Sequence, residues 1–183
     1  MLNWFSQSPQ SDSVVITGAS TGIGAACALA LDKLGYRVFA GVRHSADGER
    51  LQQQAGPRLM PIRLDVTDAA SISAASHTVA AMVGERGLAG LVNNAGIGVA
   101  GPIELLPLAD WRRQFEVNVF GLIAVTQTFL PLIRTGRGRI INMGSIAGRA
   151  SMPFMAPYAA SKHALEAITD ALRLELQPWG IRV

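Results

Sequence analysis

Val14-Val15-Ile16-Thr17-Gly18-Ala19-Ser20-Thr21-Gly22-Ile23-Gly24 is the stretch on which the fold turns. Three β-branched residues in a row read as a short buried strand. Gly18 closes that strand, and the Ala/Leu-rich run over 22–34 reads as a helix stopped at Gly35. The spacing G-x-x-x-G-x-G departs from G-x-G-x-x-G but serves the same physics. Gly18 permits a tight turn, Gly22 lets backbone approach a pyrophosphate, and Gly24 allows close helix–strand packing. Ser20, Thr21 and Ile23 fill the loop between them, where the helix N-terminus offers unpaired N–H groups to phosphate. A glycine-rich turn also occurs as plain structure. The position straight after a buried N-terminal strand is what favours phosphate binding.

Outward from this stretch, strand and helix patterns alternate. Strands are expected at 37–42, 59–64, 88–92 and 139–143. Helices are expected at 49–54, 71–83 (Asp68 or Ser71 as N-cap), 110–133 (Asp110 as N-cap) and 157–176, with Pro157 in the first turn. Strands joined through helices imply crossover units and a parallel sheet. The strands are continuous apolar runs, as expected when both sheet faces are covered. The fold class is therefore α/β, a doubly wound parallel sheet of Rossmann type. Trp179-Gly180-Ile181-Arg182-Val183 repeats the helix–Gly–Arg–Val pattern of Leu34-Gly35-Tyr36-Arg37-Val38, so a sixth strand is expected to begin at Ile181. The domain is expected to occupy 14–183 and to be truncated there, with 1–13 as a flexible leader.

Composition agrees with one packed domain. Of 183 residues, 49% are hydrophobic and 16% charged, which excludes disorder. The net charge of +3 is unclustered, so no basic stripe points to nucleic acid. One cysteine, Cys27, forms no internal disulfide, and a reducing, cytoplasmic setting fits. His44, His77 and His163 are scattered without metal-ligand spacing, so no metal is expected. No apolar run approaches a membrane span; the longest, 117–133, carries Asn118, Gln127 and Pro131.

Two further positions bear on a dinucleotide. An NAD site places Asp or Glu at the end of the second strand, for the ribose 2′-hydroxyl. Val42 stands there and Arg43 follows, and a guanidinium suits a 2′-phosphate. NADP(H) is thus preferred, with NAD(H) possible; a solvent-exposed arginine is the plain alternative. Asp65-Val66 closes the third strand, where a carboxylate and adjacent backbone can bond an adenine amino group. An N-cap for the next turn is the other reading, and both can hold.

Tyr158 and Lys162 stand at i and i+4, on one helix face. A nearby ammonium favours an ionised phenol. Ser145 lies thirteen residues earlier, after the fifth strand, at the carboxyl edge where doubly wound folds bind ligands. Taken alone it reads as a loop-capping serine.

With TGASTGIG at 17–24, Asp65-Val66, NNAG at 93–96, Asn118, Ser145 and Tyr158-x-x-x-Lys162 together, the chain resembles the short-chain dehydrogenases/reductases from Val14 to Val183. The pattern looks closest to their steroid, retinol and hydroxybutyrate dehydrogenase branch. The resemblance implies an oxidoreductase moving hydride between nicotinamide and a hydrophobic secondary alcohol or ketone. It implies Tyr158 as general acid/base, Ser145 as hydrogen-bond donor to the substrate oxygen, and Lys162 as support for Tyr158 and the nicotinamide ribose. It also implies that Asn118 breaks its helix and holds a proton-relaying water, and that Asn93, Ala95 and Gly96 run along the cofactor. Family members continue through a sixth strand, a Pro-Gly turn, a substrate lid and a seventh strand.

The expected pocket edges are 96–106 and 147–157, largely apolar, with Met152, Phe154 and Met155 available for substrate or for core. Helices 110–133 and 157–176 resemble the pair family members use to form homodimers and homotetramers, with Leu122, Val125, Phe129, Leu165, Ile168 and Leu172 as candidate contacts. A non-catalytic nucleotide-binding or interaction protein on the same fold is the alternative, as is an inactive fragment of the enzyme. A sugar-nucleotide epimerase relative is disfavoured by loop spacing.

Overall fold

A computed structural model describes residues 13–183, so the expected leader, apart from Ser13, lies outside the described residues. Ser13 itself already belongs to the first strand. The elements run β1 (Ser13–Ile16), α1 (Gly22–Lys33), β2 (Arg37–Val42), α2 (Ser45–Gln52), β3 (Leu59–Arg63), α3 (Ala69–Val83) and β4 (Gly90–Asn93). They continue with α4 (Leu108–Phe115), a π-helical turn (Glu116–Gly121), α5 (Leu122–Gly136), β5 (Arg139–Asn142) and α6 (Ala156–Leu176).

All five strands are parallel, in the order β3-β2-β1-β4-β5. Central β1 pairs Val15 with Phe39 on one side and Leu91 on the other. The strand order reverses at β1, which opens a crevice between the carboxyl ends of β1 and β4. Arg182 bridges to Arg139 in parallel, and its carbonyl accepts the Ile140 N–H at 2.8 Å. The expected sixth-strand segment therefore lies beside β5.

The unbroken apolar strands follow from two covered faces. Val15, Phe39, Ile62, Leu91 and Ile140 meet Val79 of α3 and Val125, Phe129 and Ile133 of α5. Alternate residues Val14, Ile16, Val38, Ala40 and Val92 meet Ala28 of α1 and Leu51 of α2 on the other face. Asp68 caps α3, accepting from the N–H of Ala70 (2.9 Å) and Ser71 (3.3 Å).

Four expectations need correction. The helix expected over 49–54 starts four residues earlier, at Ser45. Asp110 caps nothing; α4 starts after Pro107, and the Asp110 carboxylate pairs with Arg113 at 3.2 Å instead. The helical path Leu108–Gly136 is 29 residues long with a mean hydropathy of 1.5 over its most apolar window, so it does reach the length and apolarity of a membrane span. Its apolar stripe is spent on the sheet, where Val125, Phe129 and Ile133 are wholly buried. For the same reason Leu122, Val125, Phe129 and Leu165 are not free for subunit contacts, and Leu172 packs against the same core.

Candidate functional site

The glycine loop forms a cradle at the crevice. Gly18 and Gly22 sit at φ +63° and +57°, where a side chain is strained. A Cβ on Gly18 would lie 2.8 Å from the Ala95 Cα, so β1 and the segment after β4 touch backbone to backbone. A Cβ on Gly24 would strike the Gly18 carbonyl and the Asn94 amide, which is the close packing expected there. At Gly22 an added Cβ meets nothing within 4 Å. The space in front of α1 is therefore open, and no side chain caps its first turn. Open space facing unpaired N–H groups is what a phosphate needs.

Asn94 and Thr17 hold this cradle. Asn94 Nδ2 donates to the carbonyls of Thr17 and Gly18, both at 3.0 Å. Thr17 Oγ1 accepts the N–H groups of Asn94 and Ala95, both at 3.0 Å. Neither side chain has an assigned role in the sequence motifs that contain it. A signal was available: each directly adjoins a predicted site residue at a strand end.

A cleft of about 800 Å³ runs from here along the sheet edge. Of the expected cofactor-binding positions, Gly18, Ser20, Thr21, Ile23, Arg43, Asp65, Val66, Ala95 and Gly96 line it, whereas Gly22, Gly24, Asn93, Tyr158 and Lys162 do not. Burial would raise the Asp65 carboxyl, but the N–H and hydroxyl of Thr67 and the charges of Arg43 and Arg63 outweigh it and hold it below the usual carboxylate range. Asp65 Oδ1 accepts from Thr67 N (3.0 Å) and Oγ1 (2.8 Å), so it shapes the turn; capping α3 falls to Asp68. Arg112, Arg113, Glu116 and Val117 line it too. The cleft's size, its phosphate cradle and its ionised Asp65 beside Arg43 fit a nicotinamide dinucleotide.

Asn93 does not reach the cleft surface. Its Nδ2 donates to Thr126 Oγ1 and Asn142 Oδ1, both at 2.9 Å, and Asn142 Nδ2 donates on to Thr169 Oγ1 at 2.9 Å. Asn93 Oδ1 is buried with no protein partner. Asn93 thus ties β4 to α5, β5 and α6 from beneath.

The helix at Asn118 is widened to a π turn, in agreement with the expected local break. Asn118 is 2% exposed. Its Oδ1 accepts the Ile97 N–H (2.9 Å), and its Nδ2 donates to the Ile97 carbonyl (3.0 Å) and to Ser161 Oγ (3.1 Å). Its carboxamide is therefore turned toward the segment after β4.

Tyr158 is half-buried in the first turn of α6, with its ring edge against Gly98; a Cβ there would sit 3.9 Å from Tyr158 Cδ2. Lys162 Nζ lies 5.8 Å from the Tyr158 ring centroid and donates to the Met143 carbonyl at 2.6 Å. Burial pulls the Lys162 ammonium below its ordinary value, and the Glu166 charge partly restores it. Ser145 Oγ accepts the Ala147 N–H at 3.2 Å, so the loop-capping reading holds. That bond uses one lone pair and leaves the hydroxyl proton for another partner.

The two expected pocket edges meet. The Gly101 N–H donates to the Phe154 carbonyl at 2.7 Å, with Phe154 held at φ +68°. Ile103, Leu105, Met152 and Phe154 are each more than 60% exposed, so Met152 and Phe154 are not core. An apolar rim stands beside Tyr158's end of the site.

The family model described as short chain dehydrogenase matches residues 12–183. Human 17-beta-hydroxysteroid dehydrogenase type 2 is 42% identical over 93% of this chain and 45% of its own. Mouse retinol dehydrogenase 5 is 42% identical over 96% of this chain and 55% of its own. The chain thus spans about half the length of these curated relatives. A gluconate 5-dehydrogenase from Burkholderia cenocepacia, solved in complex with NADP and tartrate, superposes with a TM-score of 0.84 at 29% identity, over 94% of this chain and 68% of that one. The family match covers every described residue, and the same topology recurs in the solved relative. The chain belongs to the short-chain dehydrogenase family.

Proposed function

We propose that this chain carries the cofactor cleft and the acid/base group of an NADP(H)-dependent oxidoreductase acting on a hydrophobic secondary alcohol or ketone. What carries the proposal is that the Arg43-lined cleft lies beyond the ends of β1 and β4, while Tyr158 comes near Gly98 after β4 and Lys162 bonds the Met143 carbonyl after β5, at the same sheet edge.

The nicotinamide, when bound, supplies the hydride chemistry. The chain's own residues do the rest. The N–H groups of the first turn of α1 hold phosphate, and Gly22 keeps the approach clear. Arg43 follows a strand end with no carboxylate, which supports preference for a 2′-phosphate. Asp65 stays ionised and Val66 lines the adenine end. Tyr158 Oη gives its proton to a ketone oxygen or takes one from an alcohol. The Lys162 ammonium is fixed on the Met143 carbonyl, 5.8 Å from the Tyr158 ring centroid, and takes the ribose hydroxyls in this reading. Ser145 turns its free proton to the substrate oxygen, stabilising charge as it develops. Asn118, through the π turn, orders the backbone beside Tyr158. The apolar rim of Ile103, Leu105, Met152 and Phe154 supports a hydrophobic substrate, as do the steroid and retinol dehydrogenase relatives.

The test is a pair of variants. Tyr158→Phe is expected to abolish alcohol oxidation while NADPH affinity stays within about twofold. Arg43→Ala is expected to weaken NADPH at least tenfold more than NADH, about 1.4 kcal/mol. Retained turnover in the first, or equal losses in the second, refutes that part of the proposal.

A further inference from the structure

Gln114 is a fully buried carboxamide that the proposed chemistry leaves without a task. Its Oε1 accepts the Val99 N–H at 2.6 Å. Its Nε2 donates to the Ile97 carbonyl at 2.8 Å and to Ser161 Oγ at 3.4 Å. Asn118, four residues on, repeats the pattern: it accepts the Ile97 N–H and donates to the same carbonyl and the same hydroxyl. Ser161 Oγ then donates to the Tyr158 carbonyl at 2.7 Å.

The accounting closes. Both lone pairs of the Ile97 carbonyl are used, as are both lone pairs and the proton of the Ser161 hydroxyl. Every amide hydrogen and both amide oxygens of Gln114 and Asn118 have partners. A closed buried network of this kind has one geometry, because any displaced member leaves a desolvated group unpaired.

What the network fixes is specific. It sets the backbone of 97–99, and Gly98 in the middle of that segment faces the Tyr158 ring, whose Cδ2 lies 3.9 Å from where a Gly98 Cβ would sit. It also grips α6 at Ser161, three residues after Tyr158. The ring edge and the backbone of Tyr158 are therefore referenced to one buried frame. We infer that Gln114 is a positioning residue, whose carboxamide, acting with Asn118 through Ser161 and the 97–99 backbone, sets the placement of the Tyr158 ring. The consequence for turnover rests on the reading of Tyr158 as acid/base; the placement of the ring does not.

The test uses the full chain. Two tyrosines are present, so Tyr36→Phe leaves Tyr158 as the sole ring signal in a tyrosine-labelled 13C NMR spectrum. In that background Gln114→Met preserves length and apolar volume but removes the hydrogen bonds. The Val99 amide is expected to exchange with solvent at least tenfold faster, and the Tyr158 ring resonance to move. With NADP and estradiol, as a hydrophobic secondary alcohol, kcat is expected to fall about tenfold while the KM for NADP stays within twofold. Ser161→Ala is the milder variant should Gln114→Met fail to fold. It is expected to move the Tyr158 resonance the same way. Where both variants fold, the pair should be non-additive. An unmoved Tyr158 resonance in a folded Gln114→Met or Ser161→Ala protein overturns the inference, whatever happens to melting temperature. Absence of alcohol oxidation in the unmodified chain counts against the proposed function alone, since the exchange rate and the ring signal still decide the role of Gln114.

Discussion

Gly18→Ala and Gly22→Ala, compared side by side, separate a glycine the fold needs from a glycine the ligand needs. Both residues hold positive φ, +63° and +57°. A Cβ in that region costs roughly 1–2 kcal/mol, so both variants lose at least that. At Gly22 nothing lies within 4 Å of the added carbon, and the loss stops there. At Gly18 the carbon lands 2.8 Å from the Ala95 Cα, and a backbone atom cannot rotate aside. Overpacking of that kind adds roughly 1–3 kcal/mol. In a chain of this size each kcal/mol lowers Tm by roughly 2–4 °C. Gly22→Ala should therefore melt a few degrees low, and Gly18→Ala should melt clearly lower or fail to fold. Binding orders the pair differently. A methyl at Gly22, the first residue of α1, fills space that is open in the chain itself; with phosphate resting on that helix N-terminus, as proposed, NADPH affinity should fall at least tenfold, about 1.4 kcal/mol, in a protein that is otherwise native. Thermal melts by circular dichroism and NADPH fluorescence titration read both effects. Equal melting losses would show that the Gly22 methyl is not in open space. Unchanged NADPH affinity in Gly22→Ala would show that phosphate does not pass there.

Lys162→Met should raise thermal stability near neutral pH while removing activity. Burial depresses the folded-state value of Lys162 below 10.5, so the native chain gains stability as pH rises through that depressed value toward 10.5; melts against pH should lose this rise in the variant. Asp65 has the opposite sense. Its carboxyl is held below 3.8, so its contribution is present above that value and lost as pH falls through the folded one; Asp65→Asn should flatten the acid limb of the stability curve. Asp68→Ala removes the α3 cap and should cost about 1 kcal/mol by urea denaturation, without touching NADPH affinity. Thr17→Val keeps shape but strands the Asn94 and Ala95 N–H groups, and should cost roughly 1–3 kcal/mol together with weakened NADPH binding.

What the sequence carried depended on how local the cause was. The strands, the glycine loop and the Tyr158–Lys162 spacing are set by neighbours a few residues apart, and all were readable. Asp110 shows the limit: as a cap candidate it has the right chemistry, yet Pro107 starts the helix earlier and the carboxylate turns to Arg113. The 110–133 helix was legible as a helix, and the resemblance signalled its break at Asn118. Its extension to 136 was not legible from residue chemistry, because the apolar periodicity ends before Thr135 and Gly136. The subunit contacts were over-read, since an apolar stripe does not say whether a sheet or another chain covers it. Gln114 could not be found at all from one sequence. Its three partners lie 15 or more residues away, and only the fold brings them to it.

The residues at the crevice share a physical reason. Strand ladders stop at the carboxyl edge of a parallel sheet, and the backbone groups just beyond have no strand to pair with. Each unmet group in a buried place is costly. Charged side chains are a poor remedy there because their own desolvation is worse. A carboxamide carries a donor and an acceptor and no charge, so one side chain can complete both halves of a missing pairing. Asn94 supplies the donor half for β1, at the carbonyls of Thr17 and Gly18. Asn118 and Gln114 do it for the segment after β4. Thr17 uses its hydroxyl for the same purpose, at the N–H groups of Asn94 and Ala95. Lys162, on the Met143 carbonyl beyond β5, is the charged side chain that joins them, while Arg43, Asp65, Arg112, Arg113 and Glu116 line the cleft and set its electrostatics. Lys162 apart, rigidity and charge are supplied by different residues, so the first can be perturbed at Gln114 or Thr17 without altering the second.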